Sequence, residues 1–291
     1  MAGIRELRGR IKSVGNIKQI TRAMEMVATT KLRRFQDRAV ASRPYSREIT
    51  QLVARLAAEI GQDALADRPL FQPGRGEATA VLLVSSSRGL CGAYNSNVFR
   101  ALETWLRTRE DQGPVDYFVY GQKGYQYLNR RGRNVERYIV DPPLEQIDYR
   151  SSTRGVRVTT ELFLGGRYRE VRVLYTAFES MVRYSPTWVS LLPIRAETLG
   201  AEAPASGPVL LEPDAASIFD QLVPRYLETR LYNALLESLT SEYASRRFSM
   251  KNATDAAGDM QGELKLVYNR KRQETITKDL LDIVGGAEAL R

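Results

Sequence analysis

The C-terminal quarter of the sequence constrains the fold most strongly. No proline follows Pro224, so nothing beyond it removes a backbone donor or breaks a helix. Apolar residues recur there at alternating steps of three and four, the a/d rhythm of a coiled coil: Met250, Ala253, Ala257, Met260, Leu264 and Val267. The pattern predicts one very long helix, from about Asp214 to Arg291, whose apolar seam needs a partner.

The partner is predicted at the other end of the chain. A second apolar stripe advances in steps of three and four with one step of four missing, which indicates a stammer. At 1.5 Å per residue the two helices would be about 80 and about 110 Å long, whereas a globule of this size is only about 50 Å across. An antiparallel pair buries both seams. The N-terminal seam is Ile4, Leu7, Ile11, Val14, Ile17, Ile20, Met24 and Val27.

The middle of the chain has a different pattern of apolar residues. An apolar, β-branched run at Thr79 to Ser86 is typical of a strand buried on both faces, and further strands alternate with helical segments. This order predicts an α/β fold: a small, mainly parallel, Rossmann-like sheet domain with a final antiparallel hairpin. The predicted parts are an N-terminal helix (1–60), a linker (61–77), the α/β domain (78–195), a linker (196–213) and a C-terminal helix (214–291).

Composition excludes several kinds of site. The chain has no histidine and one cysteine, Cys91, which excludes a histidine-based triad and an intramolecular disulfide and argues against zinc. A net charge of +9 favours an acidic partner such as nucleic acid, anionic lipid or an acidic protein surface. The N-terminus lacks the apolar core of a signal peptide, and no stretch approaches the roughly 20 apolar residues of a membrane span. Membrane association is therefore expected only through partners.

The turn from Ser85 to Asn95 lies where dinucleotide folds bind phosphate. It contains neither G-x-G-x-x-G nor a P-loop, and no acidic residue ends the next strand. Gly89 and Gly92 suit a tight turn, and Cys91, without a histidine to activate it, is better explained as a small buried thiol. The residues thus predict no catalytic site, no metal and no cofactor.

Three segments carry a family resemblance: residues 1–45, the turn SSSRGLCGAYN, and the run SMKNATDAAGDMQGELKLVYNRKRQETITKDLLDIVGGAEAL. In this order they closely resemble the gamma subunit of F-type ATP synthase. The resemblance implies a non-catalytic rotor whose coiled coil stands inside a hexamer of three alpha and three beta subunits. The α/β domain would lie beside epsilon on the ring of c subunits, and delta would belong to the same complex. Ion flow would turn the ring and shaft, and ATP would be made on beta.

The resemblance also implies roles for individual residues. It puts Met24 where the shaft meets beta, and it makes Arg272, Gln273 and Thr277 a polar catch to beta loops. The apolar tip that rides in the upper sleeve would be Ile283, Val284, Gly285 and Gly286.

Some positions depart from the family pattern. Ser87 stands where an acidic residue is usual, and Asp279 where glutamate is usual, which weakens the transfer of family roles to these two positions. An inserted cysteine pair, the thiol switch of the chloroplast form, is absent. The lack of a transit-like extension leads us to expect a bacterial-type assembly, peripheral on the cytoplasmic face of the inner membrane.

Two alternatives remain at this point. One is a basic, nucleic-acid-binding coiled coil, because the first 36 residues carry nine basic and two acidic side chains. Against it, Gly9 and Gly15 interrupt that region, and the basic residues lie along the apolar seam rather than beyond it. A nucleotide-dependent enzyme built on the central sheet is the other. Salt-dependent DNA affinity would favour the first, and saturable nucleotide binding the second.

Overall fold

The structure, a computed structural model, describes residues 3–109, 113–195, 199, 212 and 214–288. Most of the predicted 196–213 linker lies outside them. The chain divides into two compact units, one formed by its two ends up to Thr29 and from Arg246, the other by Thr30–Ser245. The helices are α1 (Ile4–Ile60), α2 (Gln62–Ala66), α3 (Tyr94–Thr108), α4 (Gln122–Asn129), α5 (Tyr149–Leu164) and α6 (Ala215–Glu288); the strands are β1 (Ala78–Val84), β2 (Val115–Tyr120), β3 (Val135–Ile139), β4 (Tyr168–Phe178) and β5 (Tyr184–Leu192).

The first unit is an antiparallel pair of helices made from the start of α1 and the end of α6. Arg8 donates a hydrogen bond of 2.9 Å to the Tyr268 hydroxyl, and Thr254 donates one of 2.8 Å to the Thr21 hydroxyl. Since residue numbers rise along one helix as they fall along the other, the two run in opposite directions. The predicted antiparallel pair of long helices is confirmed.

The seam between these helices has a different register from the predicted one on α1. The buried and half-buried positions follow an unbroken heptad, with no stammer. Ile11 and Val14 lie on it, but Ile17, Ile20 and Val27 are 52%, 59% and 57% exposed, so placing those three in the seam was wrong. The inward face consists of Ile4, Leu7, Ile11, Val14, Lys18, Thr21, Glu25 and Ala28.

The same correction applies to α6. Leu264 lies on the inward face, whereas Met260 and Val267 are 53% and 52% exposed, so their assignment to the seam was also wrong. Polar side chains occupy several positions of both inward faces, and two of them, Thr21 and Thr254, are hydrogen-bonded to each other inside the seam. The inward face consists of Met250, Thr254, Ala257, Gln261, Leu264, Tyr268 and Lys271.

The second unit contains a five-stranded sheet in the order β3-β2-β1-β4-β5. All neighbours are parallel except β4 and β5, which pair antiparallel. Central β1 is buried from Thr79 to Val84, which explains its continuous apolar sequence. The predicted mainly parallel sheet with a final hairpin is confirmed.

The ends of two sheet helices are fixed by local chemistry. Asp148 caps α5 by accepting a hydrogen bond of 2.8 Å from the Ser151 backbone, while the Ser151 hydroxyl accepts one of 2.9 Å from the Asp148 backbone. Gly121 precedes α4 with φ of 94°, a conformation that suits glycine. A side chain at Gly121 would collide with the carbonyl oxygen of Ser85, so this turn lies tightly against the end of β1.

Candidate functional site: exposed faces of the helix pair and the central turn

The helix pair carries a basic groove along α1. Arg8, Lys12, Lys18 and Arg22 line a depression of about 530 Å³, with Gln261 of α6 on its other side. These four basic groups recur along about four helical turns with no acidic residue among the groove's lining. The groove therefore presents positive charge that suits an acidic surface.

Exposed apolar side chains also mark the helix pair. Four lie on α1, and four lie on α6 before the last part of that helix. Apolar residues grouped on a surface indicate contact with another protein. They are Ile17, Ile20, Met26 and Val27 on α1, and Phe248, Met260, Leu266 and Val267 on α6.

The last part of α6 has an apolar surface without an inward face. Lys271 and Thr275 are its last half-buried positions, and every side chain described from Ile276 to Val284 is exposed. We call residues 276–284 the tip segment. Ile283 and Val284, both predicted tip residues, are 68% and 59% exposed. Gly285 and Gly286 lie within α6, beyond the last residue whose surroundings the structure describes.

The predicted beta-contact residues do not form one cluster. Arg272, Gln273 and Thr277 are exposed near the end of α6, and Met24 is half-buried on α1. Thr21 of α1 lies opposite Thr254, so Met24 is separated from Arg272 by about 30 Å of helix at 1.5 Å per residue. These residues belong to two separate places on the helix pair.

The central turn uses its polar groups internally. The Asn95 side chain accepts a 3.1 Å hydrogen bond from the Ser86 backbone and donates one of 2.7 Å to the Ser86 hydroxyl. The Ser85 hydroxyl donates to the carbonyl oxygens of Tyr120 and Gly121, both at 3.1 Å, and accepts from the Gly124 backbone at 2.8 Å. The hydroxyls of Ser85 and Ser86, the Ser86 backbone amide and the Asn95 side chain are thus already hydrogen-bonded within the protein and are not free to bind a phosphate.

The same turn is joined to α6. The hydroxyls of Tyr94 and Ser238 are 2.7 Å apart, and Ser245 donates a 2.7 Å hydrogen bond to the carbonyl oxygen of Cys91. Cys91 itself is only 2% exposed. The residues of the central turn therefore act as a packing junction between the sheet and α6, and the Cys91 thiol is a small buried group.

An ion-pair cluster next to the turn was missed from the sequence. The Glu145 carboxylate, in the short segment before α5, accepts from both Lys31 of α1 and Arg88 of the turn. Burial raises the pKa of Glu145, but hydrogen bonds from Lys31, Tyr243 and Arg88 outweigh it and lower that pKa to about 2. Lys31 also donates a 3.2 Å hydrogen bond to the Tyr243 hydroxyl of α6. Nothing in the local sequence signals this cluster, since its members are far apart in the chain.

A family model described as ATP synthase matches residues 3–290. The ATP synthase gamma chain of Mycolicibacterium gilvum is 41% identical over 99% of this chain and 98% of its own length. The chain belongs to the ATP synthase gamma chain family. The gamma chain of Dehalococcoides mccartyi is 38% identical over the full length of both proteins, and that of Mycobacterium tuberculosis is 40% identical over 99% of this chain and 98% of its own.

Solved structures share the fold. A chain of the Euglena gracilis mitochondrial ATP synthase, from a structure containing F1 and the c-ring, superposes with a TM-score of 0.67 at 16% identity, covering 99% of this chain and 94% of that one. A chain from the rotor of the same enzyme gives 0.63 at 18% identity, covering 94% and 98%. At these identities the likeness concerns architecture.

Family membership establishes the role of the chain in outline. As a gamma chain it is the rotor subunit of the central stalk and a non-catalytic part of ATP synthase. It is a peripheral component of a membrane complex, and none of the helices in the described ranges is long and apolar enough to cross a bilayer.

Proposed function

We propose that this chain transmits rotation of the c-ring to the alpha and beta subunits through its helix pair. One observation carries this proposal: an antiparallel helix pair, in a gamma chain, that leaves apolar side chains exposed on both helices and along a terminal tip segment. Two helices joined along a seam resist bending and twisting better than one. Membership of the gamma chain family leaves the nucleic-acid alternative without support.

The contact with beta is proposed at two levels of the helix pair. Met24, at the level of the basic groove, would face an acidic segment of beta, because Arg8, Lys12, Lys18 and Arg22 supply the complementary charge there. Arg272, Gln273 and Thr277 would form a polar catch nearer the end of α6, where all three are exposed. Charge on one flank of the shaft would let it act differently on each of three beta subunits.

The tip segment is proposed to turn inside an apolar sleeve of the hexamer. Ile276, Leu280, Ile283 and Val284 are each at least 50% exposed, and they lack a partner helix at this level among the described residues. An apolar surface turning against an apolar wall makes no directional hydrogen bonds that would have to break at each step. Gly285 and Gly286 would extend this contact.

The remaining parts of the proposal concern assembly. The α/β domain, residues 78–195, would bind epsilon and rest on the c-ring, with delta elsewhere in the complex. We divide the rest of the chain into two long helices, 1–60 and 214–291, and two linkers, 61–77 and 196–213. The many bacterial relatives support a place on the cytoplasmic face of the inner membrane.

Native mass spectrometry of the tagged chain, gently extracted from the membranes of its own cell, tests assembly. We expect one copy with three alpha and three beta chains, together with epsilon. A chain that runs alone, or with nucleic acid, would refute the rotor function.

A second experiment tests the tip segment. Ile283→Asp should slow ATP hydrolysis by the assembled complex while leaving the unfolding of the free chain unchanged, because Ile283 is 68% exposed. Val182→Asp is the matched control, since Val182 is an 84% exposed apolar residue of the sheet domain. Equal hydrolysis rates for the two variants would contradict a sleeve contact.

A further inference from the structure

A short segment before α5 makes contacts with the long helices at three successive levels. Residues 145–149, which we call the strap, follow the loop at Pro142 and Pro143 and end in the first residue of α5. Residues 145, 147 and 149 make the contacts: the first belongs to a short 3-10 helix, Leu144–Gln146, and the last begins α5. The strap and all its partners lie within the unit formed by Thr30–Ser245.

The first level is the ion-pair cluster at Glu145. Lys31 of α1 binds the carboxylate and also the Tyr243 hydroxyl of α6, at 3.2 Å. Its ammonium group lies 5.4 Å from the centre of the Tyr243 ring. Arg88 joins the same carboxylate to the central turn. Glu145 therefore connects the sheet domain, α1 and α6 at one point.

The second level uses the strap backbone. The Ile147 carbonyl oxygen accepts a hydrogen bond from Arg38 of α1. The same guanidinium donates to the Tyr232 hydroxyl of α6, at 3.1 Å. Ile147 is 1% exposed, so this hydrogen bond to a charged group is partly shielded from water and is stronger than one at the surface.

The third level is a tyrosine cluster. The Tyr149 hydroxyl donates a 3.1 Å hydrogen bond to Glu228 of α6. Its ring meets the ring of Tyr45, on α1, edge-on at 6.2 Å, and that of Tyr232, on α6, at 5.8 Å. Again one strap residue contacts both helices.

The partners on α1 repeat every seven residues. Lys31, Arg38 and Tyr45 are two helical turns apart from one another and so lie on one side of α1. The strap runs beside them in the same order. Elsewhere the sheet and the central turn are tied to α6, through Tyr94 with Ser238 and Cys91 with Ser245. The strap adds a tie to α1 at each of its three levels.

We propose that the strap transmits rotation of the sheet domain to both long helices together, with Glu145 and Tyr149 as positioning residues. This rests on the rotor function above. A turning force delivered to α6 alone would shear α6 against α1. The strap resists that shear because it binds α1 at each level, and either the strap residue or its partner on α1 also binds α6 there. Both helices are continuous from the strap to their ends in the helix pair.

The test uses the assembled complex in inside-out membrane vesicles. E145Q/Y149F removes the ion pairs of Glu145 and the hydroxyl of Tyr149 while keeping side-chain volume. We expect a loss of the membrane potential generated per ATP hydrolysed, with hydrolysis and the amount of assembled complex retained. E161Q/Y138F is the matched control: Glu161 pairs with Arg157 within α5, and Tyr138 of β3 stacks on Tyr125 of α4. It should behave as the wild type.

Two outcomes would refute the proposal that the strap transmits rotation. Wild-type potential per ATP in E145Q/Y149F would overturn the proposal. A lower amount of complex with an unchanged ratio would reduce the strap to structural support and overturn it as well. Should the double variant fail to assemble, Y149F alone, which keeps both ring contacts, supplies the same ratio. Failure of the rotor function is a separate result, since wild-type vesicles would then hydrolyse ATP without generating a potential.

Discussion

The register of the helix pair predicts opposite outcomes for two methionines ten residues apart on α6. Met250 is 5% exposed and Met260 is 53% exposed. Replacing each by alanine changes the same side chain in the same helix, so differences in helix propensity largely cancel. The comparison therefore reports on burial at the two positions.

The expected magnitudes differ severalfold. Met250→Ala removes a buried side chain and leaves a cavity, which costs about 2–5 kcal/mol. Met260→Ala removes contacts that are half solvated, so it should change the free energy of unfolding by no more than about 0.5 kcal/mol. Met260→Asp should likewise cost less than about 1 kcal/mol, since an exposed aspartate pays mainly its lower helix propensity.

Urea unfolding of the purified chain, followed by far-UV circular dichroism, measures these differences. The slope against urea should be the same in all variants, so that midpoint shifts report stability alone. Equal destabilisation by Met250→Ala and Met260→Ala, or a loss of several kcal/mol in Met260→Asp, would show that the seam passes through Met260 and refute the heptad described above.

Two further predictions concern the second unit. Gly121→Ala should destabilise the chain by about 2 kcal/mol or more, because φ is 94° there and the new side chain would collide with Ser85. Gly132→Ala is the control: φ is 62° and the space around it is open, so it should cost only about 1 kcal/mol. Equal destabilisation of the two variants in urea unfolding would contradict the close approach of Gly121 to Ser85. Because the folded-state pKa of Glu145 is depressed to about 2, its ion pairs stabilise the chain fully above the unfolded pKa of about 4.3 and lose that contribution as the pH falls toward 2. The unfolding free energies of wild type and E145Q should therefore differ by a constant amount from pH 5 to 8 and converge below pH 4; a difference that grew on acidification would refute this assignment.

The fold was predictable from the sequence because its signals are local. The run from Thr79 to Val84 is apolar at nearly every position, and it forms the buried central strand. The absence of proline after Pro224 is matched by a helix that continues to Glu288. Alternation of strands and helices was enough to predict a mainly parallel sheet.

The seam register was not predictable from apolar periodicity. The predicted register followed apolar residues, whereas Thr21 and Thr254 meet inside the seam through a hydrogen bond, and apolar Ile20 and Met260 lie outside it. If other subunits enclose the helix pair, as proposed above, apolar residues are needed on its outer faces too. Composition at single positions then no longer separates inside from outside.

The contacts of the strap could not be predicted from the sequence for a different reason. Glu145 and Lys31 are 114 positions apart in the chain, and each looks like an ordinary surface charge in its own segment. The spacing of Lys31, Arg38 and Tyr45 by seven becomes meaningful only beside a second element that uses them. Contacts of this kind follow from tertiary structure, and no local pattern encodes them.

The hydroxyl pair in the seam has a consequence for sliding along the helix axis. If α6 slipped by one heptad against α1, Thr21 would face Gln261 or Arg247, and Thr254 would face Val14 or Ala28. The Thr254 side chain is 8% exposed, so slippage would cost its hydrogen bond to Thr21 with little water available to replace it. A seam of uniform leucine would offer nearly equivalent positions at every heptad. These polar layers instead fix one axial alignment, so that an end-on load on the helix pair meets a restoring force.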